Sequence, residues 1–172
     1  MSEPRELRCY GYVARPYEQV RQLLRQQAMA LLQRATSSAS ARASSLAAKL
    51  EVEVAGIELG VDARTYLHRI REDEPVAGLP PVTRLDIGWE AGQAPGLFPV
   101  MRAELSFWPL ASDETQLEIT GDYRPPLGAV GTVVDAAIGH RIAEAVVHRF
   151  LEDIGAEIAK ELPETHERAG AS

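Results

Sequence analysis

Through the second half of the chain, apolar and polar residues alternate. Leu85, Ile87 and Trp89 alternate with Arg84, Asp86 and Glu90. Met101, Ala103, Leu105 and Phe107 alternate with Arg102, Glu104, Ser106 and Trp108. Leu117, Ile119, Gly121 and Tyr123 alternate with Gln116, Glu118, Thr120 and Asp122. A period of two sends each set to its own face of a strand. Loops rich in Pro, Gly and Asp separate these runs, at 72–81, 91–96 and 111–114. Short turns between strands with one dry and one wet face predict an antiparallel meander.

The period changes after Arg124. Pro125 and Pro126 have no N–H to donate and end the last strand. Gly128 and Gly131 permit a tight bend. Val130, Val134, Ile138, Ile142, Val146, Phe150, Leu151, Ile154 and Ile158 then recur at three- and four-residue steps. That spacing predicts one amphipathic helix over about 128–161, its stripe covering the dry face of the sheet. It is the only element that reads as long enough to do so.

The first half is less regular. Leu7, Cys9, Gly11 and Val13 alternate with Arg8, Tyr10 and Tyr12, a first strand after a loose tail at 1–4. Pro16 suits a helix start, and Val20, Leu23, Leu24, Ala28, Leu31, Leu32 and Ala35 carry helical spacing. Residues 36–45 are mostly Ser, Ala and Thr, either a flexible connection or a second short helix near 41–48. Leu50, Val52 and Val54 read as a strand. Ala55-Gly56 breaks the parity, and 57–71 is one long bulged strand or two short ones. The expected order is strand, one or two short helices, several strands, long helix: an α+β domain spanning 1–172, with tails at 1–4 and 163–172.

Composition excludes several classes. At 172 residues, 45% apolar and 25% charged, the chain suits one soluble domain. A net charge of −7 argues against a nucleic-acid backbone as partner. Cys9 is the only cysteine, so an internal disulfide and a Cys-based zinc site are impossible. No signal-like apolar start and no membrane-length apolar run is present, which reads as a cytoplasmic protein.

The stretches LFPVMRAELSFWPL and LEITGDYRPPLGAVGTVVDAAIGHRIAEAVVHRFLEDI, with Gly131, Asp135, Arg141 and Ala143-Glu144 on the helix, resemble uncharacterised members of the SRPBCC superfamily. This is the START and Bet v 1-like, or polyketide cyclase/lipid-transport-like, group. The resemblance covers nearly the whole chain in element order. It implies a helix-grip fold, a curved antiparallel sheet wrapped on the C-terminal helix, with a cavity between them for an apolar ligand. It implies no particular reaction, because the group holds binders, transporters, cyclases and oxygenase subunits. The metal-ligand pattern of the oxygenase members is missing here.

The candidate ligand-binding residues are therefore Trp89, Met101, Ala103, Leu105, Phe107, Ile119, Gly121 and Tyr123 on the sheet, facing Val134, Ile138 and Ile142 on the helix. Ala103 and Gly121 are small where a filled core prefers bulk, and Tyr123 brings a hydroxyl. Three functions stay open. One is a non-catalytic binder of a hydrophobic small molecule or lipid. The second is a cyclase- or hydro-lyase-type enzyme using Tyr123, Tyr66 and His68, the last two entering the cavity if a bulge flips their parity. The third is an interaction domain with a filled core. No cofactor and no metal is expected: His140, Glu144 and His148 lie one helical turn apart, but on a solvated row. Residues 19–50 hold Arg21, Arg25, Arg34, Arg42 and Lys49 and no acid. That asymmetry suits either water or weak contact with an anionic membrane surface. The oligomeric state is not legible.

Overall fold

The computed structural model describes residues 5–49, 63–91, 100–124 and 136–163. The elements run β1 (Arg5–Val13), α1 (Tyr17–Lys49), β2 (Ala63–Asp73), β3 (Val82–Ala91), β4 (Val100–Ala111), β5 (Glu114–Arg124) and α2 (Ala136–Glu161). Consecutive strands from β2 to β5 pair with one another, and the five strands lie in the order β1-β5-β4-β3-β2, antiparallel throughout. The alternation sets the faces as expected. Leu85, Ile87, Leu105, Phe107, Leu117 and Ile119 are buried on one side, while Arg102, Tyr10 and Tyr12 are exposed on the other.

Both helices cover the dry face. α2 lies along the β1 side, α1 along the β2 side, and the two pack on each other. This corrects the expectation that the C-terminal helix alone forms the cover. In keeping with the expected helix pair, α1 is two helices run together over 33 residues, longer than expected. Val20, Leu23, Leu24, Ala28, Leu31, Leu32 and Ala35 are all buried along it. The helix bends at Gln27, where φ is −136° and ψ 15°, with no Pro or Gly to mark the place. Thr36 ties it down: its hydroxyl donates to the Leu32 carbonyl at 2.6 Å and meets the Thr65 hydroxyl of β2. At the other end the buried Tyr17 hydroxyl lies 2.8 Å from Thr83 Oγ1 of β3.

The corner between β1 and α1 anchors α2. The Arg15 guanidinium donates to the Leu162 carbonyl and, at 3.2 Å, to the Ala159 carbonyl. A cation there serves carbonyls that the helix end leaves without amide partners, and complements its dipole. Gly11 lets α2 come close: a Cβ there would sit 3.3 Å from the Leu151 side chain. Phe150, Leu151, Ile154 and Ile158 are buried beneath this contact. Each such side chain contributes about 1.5–3 kcal/mol by leaving water.

The expected strand at 50–54, the parity break at Gly56, the Pro125-Pro126 corner, the first turns of the expected C-terminal helix and most of both tails lie outside the described residues. The register of β2 does shift, between Leu67 and Arg69. His68 is the extra residue. The shift turns Arg71 to the wet face and Ile70 and Glu72 towards the helix side.

Candidate functional site

The register resolves the dry face into rows that cross the sheet. Cys9, Ile119, Leu105, Leu85 and Ile70 form one row, and Gly11, Leu117, Phe107, Thr83 and Glu72 the next. The centres of these rows are closed: Leu85, Leu105, Phe107 and Ile119 are all 0% exposed. Of the expected ligand-binding residues, Leu105, Phe107 and Ile119 are thus part of the packed core. On the other side of the Cys9 row lies Leu7, Gly121, Ala103, Ile87 and Leu67. Its two middle positions are small and half-buried. Beyond it, Arg5, Tyr123, Met101, Trp89 and Thr65 share the last row.

Gly121 has a local cause. A Cβ on it would lie 2.5 Å from the Arg102 carbonyl oxygen and 2.7 Å from the Ala103 Cβ. The two strands approach too closely there for any side chain, so glycine is required whatever fills the space beyond. Ala103 pairs with Gly121 on one side and with Ile87 on the other.

Trp89 closes this end of the face. It is 5% exposed and meets Phe150 of α2 edge-on, with ring centroids 4.4 Å apart and planes at 87°. Such a pair adds about 0.5–1.5 kcal/mol beyond burial. The indole Nε1 is buried and has no acceptor among the described residues. A buried donor left so costs about 1–3 kcal/mol. Phe150 was legible as part of the helical stripe; its pairing with Trp89 was not, since nothing local links positions so far apart in sequence. Met101 and Tyr123 hold their expected register positions, but their side chains, and those of Ile138 and Ile142 on α2, lie outside the description. Val134 lies outside it altogether.

The acid–base candidates did not come inside. Tyr66 and His68 are both exposed, because the bulge falls at His68 itself rather than before Tyr66. His68 instead lines an open groove of about 790 Å³, which also holds Glu6, Asp86, Arg102, Glu104, Thr120 and Asp122 of the wet face and is bordered by Ile87, Ala103 and Gly121. An ion network lies beside it: Arg71 reaches Asp86 at 2.8 Å and Glu104 at 2.5 Å, and Arg84 reaches Glu104 at 2.6 Å and Asp73 at 2.8 Å. Burial works against the charge on Glu104, but hydrogen bonds from Arg84, Arg71 and Ser106 outweigh it and hold the carboxyl below its usual range.

Cys9 sits half-buried on β1, where burial and then the charge of Glu144 push its thiol up, away from a reactive thiolate. His148 is exposed, 3.3 Å from Glu152, and no group of three potential ligands able to hold a metal occurs among the described residues. The described arginines of α1 are engaged by acids of α1 itself, β2 and α2. Arg21 pairs with Glu18 and Glu72, Arg25 with Glu72, and Arg34 with Glu157 and Glu161. The side chains of Arg42 and Lys49 are outside the description. No described helix is long and apolar enough to cross a membrane.

No protein-family profile matches the chain, and neither does any curated protein. Solved structures do. A conserved protein from Geobacillus kaustophilus is 15% identical with a TM-score of 0.48, the match covering 91% of this chain and 97% of that one. The Zhui aromatase/cyclase of a Streptomyces species is 14% identical with a TM-score of 0.43, over 93% and 96% of the two chains. A START superfamily protein from Mycobacterium smegmatis is 13% identical with a TM-score of 0.38, over 91% and 98%.

Proposed function

We propose that the protein holds a hydrophobic small molecule or lipid between the sheet and α2, over Ala103 and Gly121. One observation carries this reading. The row through Leu7, Gly121, Ala103, Ile87 and Leu67 is small at its centre, while the adjoining row through Ile119 and Leu105 is fully packed. A filled core places its bulk at the middle of a sheet. A site for an apolar molecule needs the opposite, apolar walls around missing volume. Trp89, Ile87 and Leu7 supply such walls.

Holding is favoured over turnover. A cyclase or hydro-lyase needs a proton donor and acceptor at the ligand, and of the three candidates His68 and Tyr66 are exposed instead, while the Tyr123 side chain lies outside the description. Native mass spectrometry of the purified chain tests the proposal. The expected result is a second species heavier by one lipid-like mass, which organic solvent releases. A bare chain that also takes up no fatty acid or aromatic hydrocarbon would contradict it.

A further inference from the structure

We infer that the Trp89 indole N–H is the polar anchor of this site, and that the ligand class is an uncharged apolar molecule bearing a carbonyl oxygen, such as a ring ketone or quinone. This rests on the proposed site and narrows what enters it. Trp89 is buried, and its Nε1 has no acceptor among the described residues. Indole offers one donor and no acceptor. Its ring is held edge-on against Phe150, so the donor is fixed in place. In register Trp89 faces Met101, two residues along β4 from Ala103. That diagonal separation is within reach of an aromatic side chain. An oxygen on a molecule lying over Ala103 is thus in range of the indole.

The surroundings select the kind of acceptor. Ile87, Leu105 and Phe150 are apolar and buried, and a lone water needs two to four polar partners. Thr65 sits beside Trp89 in the same row, but its hydroxyl is engaged with Thr36. Thr36 gives its own proton to the Leu32 carbonyl, so the shared proton comes from Thr65, which has no second one for a ligand. The described arginines of α1 are tied to Glu18, Glu72, Glu157 and Glu161. Among the described side chains a carboxylate brought here would meet a single neutral donor, too little to offset its burial. A carbonyl asks for one donor and finds it.

The test uses 9-fluorenone and fluorene, which share a tricyclic skeleton and differ in one carbonyl. Binding to the full chain is measured by calorimetry and by the indole N–H resonances. Trp89 and Trp108 are the two tryptophans, and Trp108→Phe assigns their signals. The expected result is a preference of about tenfold for the ketone, the scale of one hydrogen bond, with the Trp89 N–H resonance moved downfield. Trp89→Phe should bind both compounds alike, near the fluorene affinity of the parent. Equal binding of the two by the parent, or a preference that survives Trp89→Phe, overturns the inference and leaves the site standing. Binding of neither removes the site and the inference together. Should Trp89→Phe fold poorly, the parent resonance decides, and an unmoved signal on fluorenone binding overturns the inference.

Discussion

Trp89 of β3 and Phe150 of α2 meet edge to face, their centroids 4.4 Å apart. The pair joins the sheet to the helix one row beyond the place where the sheet's apolar face turns small. Phe150 is fully buried, so Phe150→Ala leaves a cavity as well as an unpartnered indole. The expected loss is about 3–5 kcal/mol, read from urea unfolding. A loss under about 1 kcal/mol would mean that the contact is not part of the core.

Gly121 separates strand geometry from ligand space. Gly121→Ala places a Cβ against the Arg102 carbonyl and Ala103. The expected cost is about 1–3 kcal/mol, as for overpacking. Ala103→Gly in the same chain should recover part of it, because one of the two clashing groups disappears. A neutral Gly121→Ala variant, measured by thermal unfolding, would show that the strands are not pinned there.

These two sites mark what the sequence could and could not reveal. The faces of β3, β4 and β5 followed from alternation alone, and so did the stripe on α2, because one face of each is wet. The length of α1 did not. Residues 36–45 have weak intrinsic helix preference, and the helix is held there by Thr36 against Thr65, a contact distant in sequence. The bulge at His68 carries no Gly or Pro, so Arg71 gave no sign that it would face Asp86 and Glu104. The smallness of Gly121 was legible, but its immediate cause, the nearness of β4, was not. Nor could the arginine asymmetry of residues 19–50 reveal the carboxylates of β2 and α2 that answer it.

Glu104 sets a pH dependence. Its carboxyl titrates lower in the folded chain, where the pairs with Arg84 and Arg71 outweigh its partial burial. The stability it contributes is therefore present above the unfolded carboxylate value of about 4.3 and is lost as pH falls through the lower folded value. The parent should exceed Glu104→Gln in urea midpoint at neutral pH, by under about 1 kcal/mol because the network is partly exposed. The gap should close below about pH 4. A gap that stays constant with pH would remove Glu104 from this role.

The most direct measurement of the central claim places bulk in the small row. Ala103→Trp fills the space that a ligand is proposed to occupy, while Arg102→Ala on the exposed face is the control. Displacement of a fluorescent fatty acid is paired with thermal unfolding. If the space is a binding site, the parent and Arg102→Ala take up the probe and Ala103→Trp does not, with its melting temperature nearly kept. If the space is filled core, the indole overpacks it at a cost of about 1–3 kcal/mol or more. A steep fall in melting temperature for Ala103→Trp, with no probe taken up by the parent, would contradict the account.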